Sequence, residues 1–343
     1  MGTTANKKTL KDLGEAGIIR LVQEKVSPQL SPYIRKGIGD DCAVLETAEG
    51  RALLVTTDTL IEGVHFTVQT LSPEALGWKA LAVNISDIAA MGGVPRTALL
   101  SIALRPDCRA GFLESFTDGL KALADKTGVI LAGGDTVESP SHAMITITLL
   151  GDCSPEHLVY RSGARVGDDV WVTGSLGNAA AGLFLLMNKK IPEVSGYKLL
   201  VRAHQEPMPR LEMGRALGES GLVHAMIDIS DGIAKDLGHI CEQSGVGAVV
   251  QESSIPMSDE LLKLAAEVEK SPLSWALHGG EDYELLFTAS SADKEKVVAL
   301  TTKVLGTPAA KIGTIIQDEG IWLETEKGKE PLGLRGYAHF SKP

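Results

Sequence analysis

Carboxylates recur in this chain at the ends of apolar runs, where a strand or a helix face carries them toward one place. Asp40 and Asp41 stand in GIGDDCAVL, Asp58 follows ALLVTT, Asp87 lies in LAVNISDIAAMGG, Asp135 follows VILAGG, and Asp228 and Asp231 share AMIDISDG. A single strand-end aspartate is ordinarily a turn former, because its side chain bonds the backbone two residues on. The shared setting of these residues is what asks for a chemical reading, and Asp87 carries it furthest. Ser72 and Pro73 read as the opening of a helix whose Leu76, Ala80 and Val83 form an apolar stripe, and Asp87 falls on that stripe. A carboxylate turned inward is costly unless it is paired, protonated or metal-bound. No Lys or Arg follows Asp87 until Arg96, beyond the Gly92-Gly93 stop, so a cation from outside is the simplest partner. Oxygen donors without His or Cys at metal spacing favour a hard ion such as Mg2+, which carboxylates commonly share with substrate phosphates.

Three glycine-bearing segments accompany these carboxylates. The run from Ile227 to Gly232 leaves a strand and enters a helix expected over 233–242, which puts Ser230 and Asp231 near free N–H groups that favour anions. Either residue also suits a plain helix cap. Gly133-Gly134-Asp135-Thr136 is expected to end a strand over 128–132 in a turn whose amides approach a phosphate, with an ordinary tight turn as the alternative. Gly279 and Gly280 precede a strand over 285–288, where a hairpin turn is the alternative.

These segments need elements to position them. Strand-like runs at 52–57, 128–132, 143–150 and 170–173 alternate with helical stretches opened by polar caps and closed by glycine, which makes this a mixed α and β protein. At 343 residues the chain has the length of about two domains. The stretch from Asp152 to Asp168 collects Pro, Gly and charge without apolar periodicity, so we divide the chain into domains 1–151 and 152–343. A Gly-Asp-Asp tripeptide occurs in each half, at Gly39 and at Gly167, but no short period recurs.

Composition narrows the partners. Hydrophobic residues make up 44% and charged residues 22%, with no apolar run long enough for a membrane span. The net charge of -11 is the wrong sign for a phosphate polymer, and 4% aromatics leave few rings for stacking bases, so neither nucleic acid nor membrane is expected. Cys42, Cys108, Cys153 and Cys241 form no C-x-x-C pair, and the first fifteen residues lack a signal peptide's apolar stretch, which fits a reducing cytoplasm. P-loop, Rossmann, protein-kinase and α/β-hydrolase signatures are all missing. The residues alone therefore lead to an acidic, Mg2+-dependent site for small phosphorylated molecules.

Seven blocks, GIGDDCAVL, TTDTLIEGVHF, KALAVNISDIAAMGG, LAGGDT, RSGARVGD, IDISDGIAKDLGH and GGEDYELLFT, stand in this order between about Gly37 and Tyr337. In that order they resemble the thiamine-monophosphate kinase family. Its wider group includes aminoimidazole ribonucleotide synthetase, selenophosphate synthetase and a hydrogenase maturation protein. The resemblance implies an α/β (α+β) fold of two domains, with an N-terminal sheet domain that forms a homodimer and a C-terminal α/β domain. It also implies ATP and thiamine monophosphate as substrates, several Mg2+ ions, and direct in-line transfer of the γ-phosphoryl group to give thiamine diphosphate. A phosphate monoester with a second pKa near 6 is already mostly ionised at neutral pH, so no catalytic base is needed.

Carried over by position, the resemblance makes Asp41, Thr56, Thr57, Asp58, Asp87, Asp135, Asp228 and Asp231 metal ligands, with Asp40 as a cap or outer partner. Gly134, Asp135, Arg161 and Ser230 would contact ATP; His65, Glu281 and Tyr337 would contact thiamine monophosphate, Glu281 as a negative charge facing the thiazolium cation. Two departures stand out. The C-terminal block reads Gly336-Tyr337-Ala338-His339-Phe340 where the family usually has Gly-Tyr-Asp-His-Phe, and Gln205-Glu206-Pro207 lacks the Arg that often precedes that proline. The rival readings are another ATP-using member of the group, aminoimidazole ribonucleotide synthetase foremost, and a nucleotide sensor that has lost catalysis.

Overall fold

A computed structural model describes residues 9–26, 32–188, 194–333 and 336–340. In chain order the first part holds α1 (Leu10–Lys25), β1 (Ile34–Lys36), β2 (Ala43–Glu46), β3 (Ala52–Ile61), α2 (Pro73–Ala90), β4 (Val94–Leu104), α3 (Ala110–Thr127), β5 (Ile130–Glu138) and β6 (Met144–Cys153). Its six strands form one sheet in the order β1-β2-β3-β6-β4-β5. After a link from Ser154 to Gly167, the second part holds β7 (Asp168–Val172), α4 (Asn178–Met187), α5 (Lys198–Gln205), α6 (Leu211–Ser220), β8 (Val223–Asp228), α7 (Ile233–Ser244), β9 (Gly247–Gln251), α8 (Asp259–Glu267), α9 (Pro272–His278), β10 (Leu285–Ser290), α10 (Lys294–Leu305), β11 (Ala310–Ile316), β12 (Gly320–Thr325) and β13 (Gly328–Pro331). The second sheet has seven strands, in the order β13-β12-β9-β11-β7-β10-β8.

Alternation along the second sheet decides its two faces. Val170, Val172, Ile227 and Leu286 pack on α7 and α9, while Trp171, Met226, Leu285 and Phe287 turn the other way onto α6 and α10. The first sheet packs one face on α2, which in turn packs on α3. Two glycines let these helices approach closely: a Cβ at Gly77 would lie 1.9 Å from the Phe116 carbonyl oxygen, and one at Gly119 would lie 1.8 Å from that of Glu74.

Helix α2 begins as its sequence predicts. Ser72 accepts the Ala75 amide at 3.1 Å, Pro73 occupies the first turn, and the helix stops before Gly92, whose φ is +72°. Its far end reaches α6 and β8, and Ala90 joins the core beside Met213 and Met226. One helix thus touches both sheets, and it bears Asp87.

Two expected strand ends are overturned, the first at Asp58, which lies inside β3 because pairing with β6 carries that strand on to Ile61. Gly133-Gly134-Asp135-Thr136 does not end a strand; these residues lie inside β5, which runs parallel to β4 as far as Glu138. Gly128 belongs instead to the end of α3, as a left-handed cap at φ +74°. An irregularity at Ala98 and Leu99 accommodates the glycines, and a Cβ at Gly134 would meet the Leu100 carbonyl oxygen at 1.7 Å. The glycines serve backbone approach between strands, with the parallel ladder extending past them. The second Gly-Asp-Asp is also structural: Asp168 bonds His224 at 2.9 Å and Asp169 pairs with Lys311 at 2.6 Å.

Candidate active site

A cleft of about 750 Å³ opens between the two parts of the chain. One wall is acidic. Asp41 precedes β2, Asp87 lies on the last turns of α2, and Asp228 ends β8; one carboxylate oxygen from each lies within 4.8 Å of the others. Asp58 of β3 and Asp231, in the turn before α7, line the same cleft.

Hydrogen bonds hold these carboxylates in place. The Thr56 hydroxyl donates to Asp87 Oδ2 at 2.5 Å, and the Ser86 hydroxyl donates to Asp228 Oδ2 at 2.6 Å. Arg161 bonds Asp41 Oδ1 through Nε at 2.9 Å and through a second guanidinium nitrogen. Its backbone amide donates to Asp40, which also pairs with Lys36 at 3.2 Å. Asp40 is therefore a bracing residue behind Asp41. Arg161 reaches the cleft, though its fork holds a carboxylate here.

Crowding and burial raise the carboxyl pKa values. Burial is the main cause throughout. It lifts Asp41 to about 7 against the opposing pull of Arg161, and Asp58 to about 6 with help from Asp231 and Asp41. Asp228 is lifted to about 6 despite its bond from Ser86, and Asp87 rises well above the usual range through burial and the charges of Asp58, Asp228 and Asp41. Asp41 Oδ2 has no hydrogen-bond partner although it is buried. Clustered acceptor oxygens with an unmet lone pair fit a divalent cation bound by oxygen.

The edge of β3 supplies a further donor. Strand β2 stops pairing at Ala43 opposite Val55, so among the described strands β3 from Thr56 onward pairs with β6 alone. Beyond that point Ile61 turns its backbone groups to the free edge, where its amide donates to His65 Nδ1 at 3.0 Å. Thr57 shares the parity of Ile61, so its carbonyl faces the same edge, while its hydroxyl bonds Thr148 on the opposite face of the sheet. Thr56 thus offers a hydroxyl engaged with Asp87, and Thr57 a main-chain oxygen.

Ser230 and Asp231 lie in the cleft at the start of α7, as expected. Two amides there are already taken, because Asp236 accepts from Asp231 at 3.2 Å and from Gly232 at 3.1 Å. The expectation of free helix N–H groups is reduced by this carboxylate one turn along, which sequence reasoning missed. Lys235 pairs with Asp231 at 2.5 Å and with Glu15 of α1 at 3.2 Å.

The other end of the cleft gathers His65, Tyr337 and Glu281, as the sequence reading expects. His65 Nδ1 accepts the Ile61 amide, so its proton sits on Nε2, which faces His339 Nε2 at 3.3 Å. Tyr337 meets the His339 ring edge-on at 5.0 Å between centroids. His339, a residue the sequence reading passed over, therefore joins this aromatic group next to the departing Ala338. Glu281 crosses the turn before α7 by donating its amide to the Ser230 carbonyl at 2.7 Å, so the segment is no hairpin. The proline loop departure has a structural use: Gln205 bonds the Thr70 carbonyl at 2.8 Å, Trp78 bonds that of Pro207 at 2.8 Å, and Arg210 pairs with Glu284.

Gly134 and Asp135 are not brought to this cleft. Strands β6 and β4 separate β5 from β3, which places Asp135 about 14 Å from Asp58 across the sheet at three strand spacings. Every residue of β5 is exposed.

Comparison with known proteins gives the family and the fold. Residues 39–153 match the AIR synthase related protein, N-terminal domain, and residues 165–324 match its C-terminal domain. The thiamine-monophosphate kinase of Escherichia coli strain K12 is 40% identical over 313 residues, 90% of this chain and 93% of the relative. That of Aquifex aeolicus is 36% identical over 332 residues, 96% and 99% of the two chains. The solved structure of AaThiL complexed with AMPPCP and TMP superposes with a TM-score of 0.86 at 34% identity, covering 97% of this chain and 99% of that one. Escherichia coli HypE, a hydrogenase maturation protein, shares the fold at TM-score 0.68 and 20% identity. With both AIR synthase related domains in order and relatives of this identity along nearly its whole length, the chain belongs to the thiamine-monophosphate kinase family.

Proposed function

We propose that this chain phosphorylates thiamine monophosphate with ATP, giving thiamine diphosphate and ADP. The observation that carries the reading is a single cleft with a carboxylate cluster under Arg161 at one end and His65, Tyr337 and Glu281 at the other. A solved relative complexed with AMPPCP and TMP supports both substrates.

Asp41, Thr56, Thr57, Asp58, Asp87, Asp228 and Asp231 would hold Mg2+ ions. When bound, these ions supply the positive charge that lets two polyanions meet in line. Arg161 and Ser230 bind the nucleotide phosphates, with Arg161 turning its fork from Asp41 to phosphate. His65 would turn its Nε2 proton from His339 toward the acceptor, and Tyr337 offers a ring face. An oxygen of the acceptor phosphate forms the new bond to the γ-phosphorus as the bond from that phosphorus to the bridging oxygen of ADP breaks. The acceptor is already ionised, so the chain orients it and leaves its protonation alone.

Gly134 and Asp135 act at this site from a second copy of the chain in a homodimer. The support is their distance from Asp58 together with the uncovered edge strand, where Ile130 is 68% and Val137 51% exposed. The expected domain division at 151/152 falls inside β6, whose pairing with β3 runs to Cys153, so the proposed boundary moves to the link that follows; a reducing cytoplasm is part of the same proposal, in keeping with four cysteines that form no disulfide. Among the described residues, no helix is long and apolar enough to cross a membrane.

The test is incubation with ATP, Mg2+ and thiamine monophosphate followed by chromatography. Thiamine diphosphate should appear and should vanish with EDTA. ADP release without thiamine diphosphate would overturn the reading and favour another acceptor.

A further inference from the structure

Glu281 is not a free charge. Lys79 of α2 places Nζ 2.7 Å from Glu281 Oε1 and 3.1 Å from the His204 carbonyl oxygen, and His204 Nδ1 lies 3.1 Å from Glu281 Oε2. The Lys79 side chain is 0% and that of His204 1% exposed, against 27% for Glu281, so only the carboxylate of this trio reaches the cleft. A buried ammonium without an anion is strongly unfavourable, and Glu281 is the carboxylate that meets this one. Burial and the Lys79 charge both push the His204 pKa down, so its imidazole is neutral. Its Nδ1–H donates to Glu281, which leaves Nε2 as the buried atom without a partner.

The backbone is equally committed. Glu281 and Tyr283 have φ of +68° and +49°, conformations disfavoured for residues with a Cβ, and Tyr283 donates its amide to the Ile229 carbonyl at 2.8 Å. Lys79 also shares α2 with Ser86 and Asp87. The helix therefore spaces the Glu281 end of the cleft from the carboxylate cluster by eight residues, about 12 Å.

At 2.7 Å the charges of Lys79 and Glu281 cancel as seen from the cleft. A neutralised carboxylate attracts a distant cation weakly, yet its remaining lone pairs accept hydrogen bonds in a fixed direction. We propose that Lys79, with His204, is a positioning residue that presents Glu281 as a hydrogen-bond acceptor for the exocyclic amino group of the substrate's pyrimidine, and that Glu281 does not serve as counter-ion to the thiazolium. The inference rests on the proposed activity toward thiamine monophosphate.

Steady-state kinetics of the wild type, Lys79→Met, Glu281→Gln and the double variant test it, with thiamine monophosphate and its desamino analogue as acceptors. The wild type should prefer the amino-bearing acceptor by tenfold or more in kcat/KM. Lys79→Met should abolish that preference and raise KM for thiamine monophosphate about tenfold while the KM for ATP stays within twofold. In the double variant the two losses should not multiply, because both substitutions disable one device. Multiplying losses, equal changes in both KM values, or a wild type indifferent to the amino group would each overturn the inference. Should Lys79→Met fail to fold, Glu281→Gln and the double variant, which leaves no uncompensated buried charge, carry the same comparison. Absence of wild-type turnover would overturn the activity itself, whereas turnover without amino-group preference overturns only this inference.

Discussion

At the scale of single residues, charge density governs the cleft. Asp41, Asp58, Asp87 and Asp228 crowd into a space where burial and mutual repulsion raise every one of their pKa values. Such a cluster is unfavourable on its own and is relieved by cations. Asp58→Asn and Asp87→Asn should each lower turnover by on the order of 100-fold or more while the circular dichroism spectrum stays that of the wild type. Near-normal rates at saturating Mg2+ would contradict the ligand assignment. Asp40 makes a contrast, because it braces Arg161 and Lys36 from behind.

At the scale of elements, α2 is the part on which both ends of the cleft depend. Its entry is governed by Ser72, and Ser72→Ala should lower the free energy of unfolding by about 1 kcal/mol, read as a shift in urea midpoint, with KM values unchanged. Its packing on α3 is tighter. A methyl at Gly119 would be driven into the Glu74 carbonyl, 1.8 Å away, so Gly119→Ala should destabilise by about 3 kcal/mol, at the upper end of overpacking effects. A smaller loss for Gly119→Ala than for Ser72→Ala would mean that the two helices shift apart freely.

At the scale of the whole molecule, two properties follow from the site. The raised carboxyl pKa values mean that the metal-free folded chain binds more protons than the unfolded one between 3.8 and about 7. Stability contributed by these groups is therefore present at the low end of that window and is lost as pH rises through it. Glu281 has the opposite sign: held down to about 2 by Lys79 and His204 against burial, it stabilises above its ordinary 4.5 and loses that contribution on acidification. Thermal melts in EDTA should show higher stability near pH 5 than near pH 8, and Mg2+ should raise the midpoint more at pH 8. A flat profile would remove the carboxylates from the account. Subunit mixing tests the homodimer. Asp58→Asn and Asp135→Asn proteins, each inactive alone, should recover activity when mixed if Asp135 acts across the interface, and should stay inactive if it acts within its own chain.

Much of this protein was legible before any coordinates. The Ser72-Pro73 opening of α2, the inward Asp87 and the strand ending at Asp228 follow from local rules of capping and periodicity, because each is decided by residues a few positions apart. Family blocks picked out His65, Glu281 and Tyr337, and the structure brings all three to the same cleft. What the sequence could not disclose depends on contacts between distant segments. The partnership of Lys79 with Glu281 and His204 joins Lys79 to residues more than a hundred positions away, and only packing shows that the Glu281 carboxylate is already neutralised where it opens to the cleft. The extension of β5 through its glycines was likewise decided by pairing with β4, since a parallel ladder and its bulge are tertiary facts that no local turn rule contains. Local rules singled out the carboxylates, and long-range packing decided which of them meet within one chain.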